Sequence, residues 1–398
     1  MTSRDRDVLE AWLRSGCVAL TGRADGPPRV PPGDAALRAA EAAAPFGVDG
    51  ARLLGERAAL MGLTRNGPWS AGGTCRAVRA TDGWWVLSLA RDDDVGAVPA
   101  LVEDGSTATD TDAAWLAVQR WSQHRSVAEI VERAQLLGLP SGAAGEPGPV
   151  RPGVQVTAGG AAGRRPEAPV VVDLSSLWAG PLCAHLLGLA GARVIKVEST
   201  HRPDGARRGD VRFFDLLHGG HEAVALDLRS PDGVGRLRAL LRTADVVIEA
   251  SRPRALAQLG IDVGSVLQEA PTTWVRITAY GNAAPERVGF GDDVALVAGL
   301  AVDDRGAPLP CGDAVADPLA GIAAAAAARL EVRRPGSALV DVSMVDVVRE
   351  SLQGLRAAVG SVDAAAVEAP TARAVVSRAP ELGADTARVL AELTADAP

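Results

Sequence analysis

Continuous apolar runs alternate with helix-spaced apolar residues through the second half of the chain, most clearly over Val170–Glu198. Val170–Val172 reads as a strand that ends at Asp173, and a short loop follows. Pro181–Ala190 carries apolar residues at three- and four-residue spacing. Gly191 stops that helix, and Arg193–Val197 reads as a second strand ending at Glu198. Strand, helix and strand over this span have the length of one βαβ unit. Runs that are continuous rather than alternating suit strands buried on both faces of a parallel sheet. Ligands of such sheets sit beyond the carboxyl ends of the strands. The loop Ser175–Pro181 and the residues after Glu198 therefore mark the expected edge of a site.

The same alternation continues. Strands are expected at Ala223–Leu228, Val246–Glu249, Trp274–Thr278 and Ala338–Val342. Helices are expected at Pro231–Thr243, in the stretch ending at Gly260, at Pro318–Val332 and at Val345–Gly360. Asp292–Val302 is apolar, and Asp303–Asp317 reads as a loop. The fold class predicted is α/β: a Rossmann-like parallel sheet with helices on both faces over residues 169–362, then a tail over 363–398.

Ahead of it, residues 1–140 predict a smaller α+β domain. It has helices at Arg4–Ser15 and Ala35–Ala44, two short strands within 76–90 around Thr81–Gly83, and a helix at Asp112–Gln123. A further helix opens at Ser126, with Glu129 completing a capping box. Six of the eight tryptophans precede residue 122 and are expected to fill this domain's core or interface. Residues 141–168, dense in Gly, Pro and Ala, read as a linker.

Charge narrows the partners. The net charge is −8, and Lys196 is the only lysine among 41 basic residues. Nothing draws the chain generally to nucleic acid or to an anionic membrane, so a polyanionic small molecule needs local arginine clusters. Cys17, Cys75, Cys183 and Cys311 show no C-x-x-C spacing and read as buried thiols of a reducing compartment. The first residues lack an apolar signal core, and no run approaches the ~20 apolar residues of a membrane span. A cytoplasmic location is the expectation.

Candidate chemistry is sparse. G-x-G-x-x-G is absent from the first βα turn, which reads SSLWAGP, so Glu198 alone points only weakly to a ribose. Asp317 stands as a helix N-cap with Pro318 at the first helical position. One reading is a cap and nothing more. The other is a carboxylate held at the positive end of a helix, able to act as a covalent nucleophile toward an activated acyl group. Arg207 and Arg208 follow the second strand, and Arg252 and Arg254 flank Pro253 after the fourth. Both pairs are either solvated surface charges or phosphate ligands at strand ends. His218 and His221 lack a third ligand of suitable spacing, so no metal site is expected.

Five segments in order resemble the family III CoA-transferases, the group of formyl-CoA and carnitine CoA-transferases and α-methylacyl-CoA racemases. They are VVDLSSLWAGPLCAHLLGLAGARVIKVE, HEAVALDLRSPDG, ADVVIEASRPRALAQLGID, AVADPLAGIAAAAAARLE and ALVDVSMVDV; the tail APELGADTARVLAEL resembles the family's C-terminal end. The resemblance implies transfer of CoA between an acyl-CoA and a carboxylic acid, with CoA as co-substrate and no permanently bound cofactor. Asp317 falls on the catalytic aspartate, which forms a mixed anhydride and then an aspartyl-CoA thioester. Leu177, Trp178 and Ala179 would contact CoA, as would Arg252. Homodimers, interlocked in this family, are also implied.

Some positions depart from the family. HGGHE stands where a basic N-R-G-K-R is usual, and Phe290 stands where racemases carry a proton-shuttling histidine. A catalytically silent CoA-binding paralogue or scaffold, and a racemase or isomerase, are the alternative readings. The family's small domain is resembled only at the front of this chain. There SGCVALTGRADGPPRVPPGDAALRAAEAAA echoes the region around Asp317, with Arg38 at the aspartate's place. The front is thus expected to be the back half of a first copy.

Overall fold

The computed structural model describes residues 2–103, 110–163, 167–251, 254–353 and 362–395. Its strands are β1 (Cys75–Arg79), β2 (Trp84–Ser88), β3 (Ser141–Ala143), β4 (Val154–Ala158), β5 (Val170–Asp173), β6 (Arg193–Ser199), β7 (Glu222–Leu226), β8 (Val246–Glu249), β9 (Thr273–Thr278), β10 (Ala301–Asp304), β11 (Ala307–Pro310) and β12 (Ala338–Ser343). The largest sheet runs β4-β12-β9-β8-β5-β6-β7 and is parallel except for β4. The chain leaves β5 toward β7, then returns through β8 to the opposite side. This is the doubly wound order, with its switch point between β5 and β8.

Both faces of this sheet are covered, which explains the continuous apolar strands. Val171, Val246 and Val275 point into one core, beneath helices Ala179–Leu189 and Ala316–Glu331. Val172, Val247 and Trp274 point into the other, beneath helices Pro231–Thr243 and Val263–Glu269. Pro231 occupies the first turn of its helix, behind a Ser230 N-cap.

A separate antiparallel sheet, β1-β2-β3, has its own core around Trp85, Leu101, Trp115 and Ile130. The capping box of Ser126 and Glu129 forms as expected. The front residues do not join this core. Helix Ser3–Arg14 and helix Ala35–Ala43 bring Trp12, Ala35 and Ala39 into one continuous core with Leu182, Ala320 and Val348. The Trp12 indole donates to Gly33 O at 2.8 Å. Gly33 and Gly312 are both left-handed, each just before the aspartate of a Gly-Asp-Ala turn. Arg38 pairs with Asp34 at 2.6 Å.

Two segments differ from the sequence expectation. The stretch 141–168, read as a linker, contains β3 and β4, while 164–166 lie outside the described residues. β4 is a five-residue edge strand with exposed side chains, so no apolar run marks it, and the flanking Gly and Pro set its ends. Asp303–Asp317, read as a loop, opens with residues of the hairpin β10-β11. The tail straps the front to the large sheet. Arg373 pairs with Glu56 at 2.6 Å, and Asp385 and Thr386 accept from the N–H groups of Ala223 and Ala225 on edge strand β7.

Gly321 lets the Asp317 helix approach helix Ala179–Leu189. A Cβ there would lie 2.5 Å from Ala179 O. Gly321→Ala is expected to force the helices apart and cost about 1–3 kcal/mol, as overpacking does. Urea unfolding checks this, and an unchanged midpoint would refute the close-packing account.

Candidate active site

The loop after β5 is held from beneath by buried charge. Lys196 Nζ donates to Ser175 O at 2.5 Å and to Asp204 Oδ2 at 2.9 Å, with Asp173 Oδ2 at 3.6 Å. Burial pulls the Lys196 pKa down, but Asp173 and Asp204 overcome it and hold the ammonium charged. Asp204 also accepts from the Leu177 N–H at 3.0 Å. Leu177 is thereby fixed at φ 71°, a left-handed conformation unusual for leucine, with its side chain 44% exposed. Trp178 next to it is buried, edge-on to Phe213 at 5.3 Å between centroids. Ala179 begins the following helix.

Asp317 belongs to the helix that packs against the one this loop opens, Gly321 meeting Ala179. It is the second residue of helix Ala316–Glu331, with Val315 as N-cap. This corrects the expected N-cap at Asp317 and first-turn start at Pro318. The Gly-Asp-Ala-Val turn over 312–315 starts the helix from the backbone, and Asp317 N–H donates to Ala314 O at 2.9 Å. The Asp317 carboxylate is left to face a second helix N-terminus, that of Gly291–Ala298, with the Gly291 backbone beside its Oδ2 and drawing its pKa down. A Cβ on Gly291 would lie 2.6 Å from Asp317 Oδ2, so only glycine leaves that approach open.

Three more carboxylates surround it. Asp313 is fully buried and bound by the Arg57 guanidinium, Nε at 2.9 Å and Nη2 at 2.5 Å. Asp292 accepts from the Ala314 N–H at 2.8 Å. Asp293 accepts from the Phe290 N–H at 2.9 Å, and its other oxygen has no partner. Burial, then the charges of Asp292 and Asp313, push Asp317 up to about 7 against the opposing Arg57 charge and Gly291 N–H. Burial and Asp313 push Asp292 up to about 6, and burial drives Asp293 well above the usual range. A half-buried carboxylate poised near neutrality, aimed at backbone N–H groups, can serve as nucleophile or as acid/base.

The other expected residues divide. Arg207 is committed to Glu198, at 2.6 Å, and lies over the Phe214 ring, so it is a structural cation rather than an open phosphate ligand. Arg208 beside it is exposed. Arg254 is exposed and faces Glu286 at 3.3 Å. Arg252 lies outside the described residues. Of the arginines expected to meet phosphates, Arg208 and Arg254 therefore retain solvent-facing side chains. Leu177 after β5, Arg208 after β6 and Arg254 after β8 all follow the carboxyl ends of strands.

His218 and His221 are buried beside the half-buried His185, and burial first holds all three down: His185 to about 4, His221 to about 3 and His218 well below normal. Among the described residues no His, Cys, Asp and Glu group is arranged to hold a metal ion. Arg57, Asp292 and Asp313 escaped the sequence reading. A lone arginine in a helix carries no signal, and the two aspartates were visible only as parts of GFGDD and CGDAVAD.

The raised Asp317 has a thermodynamic consequence. Its proton is held more tightly in the fold than in the unfolded chain. It therefore contributes stability below the unfolded carboxylate range, and that stability is lost as pH rises through about 7. Asp317→Asn removes the dependence. Its thermal midpoint should gain on the wild type by a few degrees more at roughly pH 8 than at roughly pH 5. An equal difference at both would show that Asp317 is not raised.

A model of CoA-transferase family III matches residues 169–386. The chain is 31% identical over 201 residues to the succinate–glutarate CoA-transferase of Agrobacterium fabrum, covering 44% of this chain and 50% of that protein. It is 26% identical to the succinyl-CoA–D-citramalate CoA-transferase of Chloroflexus aurantiacus, covering 48% and 53%. A formyl-CoA:oxalate CoA-transferase of Rhodopseudomonas palustris is 29% identical, covering 35% and 39%. A solved CAIB/BAIF family protein from Brucella suis aligns with a TM-score of 0.44 at 26% identity, covering 46% of this chain and 54% of that one. The chain thus spans about half the length of the first two of these curated relatives.

Proposed function

Because the chain belongs to CoA-transferase family III, we propose that it transfers CoA from an acyl-CoA to a carboxylic acid through a covalent intermediate on Asp317. The observation that carries this reading is the Asp317 carboxylate itself. It is half-buried, in the helix packed against the one that the Leu177 loop opens, with the Gly291 backbone beside its Oδ2. Relatives that carry CoA between dicarboxylic acids, or from formyl-CoA to oxalate, support the reaction class.

In the first step an Asp317 oxygen attacks the donor's thioester carbonyl. The C–S bond breaks, leaving a mixed anhydride and CoA thiolate. The thiolate then attacks the Asp317 carbonyl, releasing the donor acid as carboxylate and forming an aspartyl-CoA thioester. The acceptor carboxylate reverses the two steps and leaves with CoA, restoring the Asp317 carboxylate. Each tetrahedral intermediate places negative charge on an oxygen. Backbone N–H groups at the starts of Gly291–Ala298 and Ala316–Glu331 are the donors that would receive it. The ionised form of Asp317 is the nucleophile, so kcat/KM should rise with pH through about 7. Leu177, Trp178 and Ala179 would shape the thioester end of the CoA site, and Arg208, Arg252 and Arg254 would meet its phosphates.

A second reading rests on the near-neutral Asp317 beside Asp292, a pair suited to exchanging an α-proton. Phe290 at the racemase histidine position weighs against it.

The test is mass spectrometry of the protein after incubation with acyl-CoAs from acetyl and succinyl to branched and long-chain, with hydroxylamine trapping. The expected result is a hydroxamate on the peptide containing Asp317. CoA binding without any label would overturn the transferase mechanism, and deuterium entering the α-carbon would favour the second reading. CoA binding with neither label nor exchange would leave a silent binding subunit. The homodimer and a cytoplasmic location remain part of the proposal; among the described residues no helix is long and apolar enough to cross a membrane.

A further inference from the structure

Arg57 lies in helix Glu56–Met61, in the front segment and outside the region that the family model matches. Yet it reaches the Asp317 site. Both arms of its guanidinium bind Asp313, four residues before Asp317, and its face covers the Trp178 ring at 5.1 Å. One side chain thus ties the turn that starts the Asp317 helix to the loop opposite. Charge makes the same point. Asp292, Asp293, Asp313 and Asp317 crowd together, and Arg57 is the cation that acts on both Asp292 and Asp317. Its helix is itself anchored, since Glu56 is buried and bound by Arg373 of the tail at 2.6 Å.

We propose that Arg57 is a positioning residue of this site: the front segment supplies the guanidinium that fixes the Asp313 turn against Trp178 and offsets the carboxylates around Asp317. The front segment is then a working part of the catalytic unit rather than an appended remnant. The proposal deepens the reading of Asp317 as nucleophile and rests on it for its catalytic meaning. Its electrostatic content stands separately.

The charged groups facing Asp317 are Arg57, Asp292 and Asp313, with Asp293 behind them. Removing an opposite charge this close should raise the Asp317 titration midpoint by about 1–3 pH units. The midpoint can be read by NMR of the full chain labelled with carboxyl-13C aspartate, the resonance being identified by its loss in Asp317→Asn. Arg57→Gln should move the midpoint up and carry the acidic limb of kcat/KM with it, lowering kcat more than it raises KM. Arg57→Lys, which keeps the charge but not the two-armed grip, should restore most of the midpoint.

Where Arg57→Gln does not fold, because Asp313 is left buried and unpaired, Asp313→Asn and the double variant Arg57→Gln/Asp313→Asn carry the comparison. The midpoint should be higher in the double variant. An unchanged midpoint in either comparison overturns the proposal. A midpoint that moves in a protein whose Asp317 takes no acyl group would instead retain Arg57's role and overturn the transferase reading.

Discussion

Asp317→Asn should lose at least about 10³-fold in CoA transfer, with no acyl label on its peptide, while still folding and binding CoA. On the proposed route the substitution removes the covalent nucleophile, and only binding and backbone donors remain. The substitution is conservative in shape. The amide keeps an oxygen facing the Gly291 backbone, and the cluster loses a charge that it holds unfavourably. A fall in turnover cannot then be blamed on a lost fold, and the thermal midpoint above pH 7 should rise as activity falls. Such an exchange of stability against activity is characteristic of carboxylates kept where the fold alone would not choose them. Steady-state transfer between two acyl groups, measured beside melting curves, checks both halves. Retained turnover would remove Asp317 from the covalent step.

Lys196→Met should cost about 3–5 kcal/mol in urea unfolding, because it leaves Asp173 and Asp204 buried without their cation. Lys196 is 1% exposed, so water cannot replace the ammonium. The functional effect follows from the same contacts. Lys196 holds Ser175 O, and Asp204 holds the Leu177 N–H, so the loop's left-handed turn depends on this pair. Asp204 also starts the turn Gly205–Arg208 by accepting from Ala206 at 2.9 Å, so the loops after β5 and β6 should loosen together. KM for acyl-CoA is expected to rise in Lys196→Met even under conditions where the variant is folded. The double variant Lys196→Met/Asp204→Asn removes one stranded charge and should recover part of the stability but not the KM. Full recovery of both would mean that the loop needs only a neutral interior.

Local chemistry made much of this molecule legible in its sequence. Val171 and Val172 announce a strand covered on both faces, because a buried parallel strand has no polar side to show. Pro231 and Ser230 mark a helix start, and Ser126 with Glu129 another, because those residues satisfy N–H groups that the helix cannot. The βα pattern therefore carried the α/β class and the strand ends along which the site lies. β4 stayed hidden, because an exposed edge strand buries too little to leave a pattern. The hairpin β10-β11 was hidden by Gly306 in its turn and by Pro308 and Pro310 in β11 itself.

For the site, the sequence by itself determined the backbone frame: an aspartate in the first turn of a long alanine-rich helix, and a short loop at the end of the first buried strand. The tertiary structure alone decided the electrostatics. Whether Arg207 is free or bound to Glu198, and whether Asp317 is ordinary or held near neutrality, depend on charges brought from distant parts of the chain. Arg57 and Asp313 are separated by 256 positions and meet at 2.5 Å. Hydrogen bonds within a turn are set by neighbours in the chain and can be read there. Coulomb energy depends on distance through space and on burial, and neither exists until the front segment, the tail and the sheet have packed.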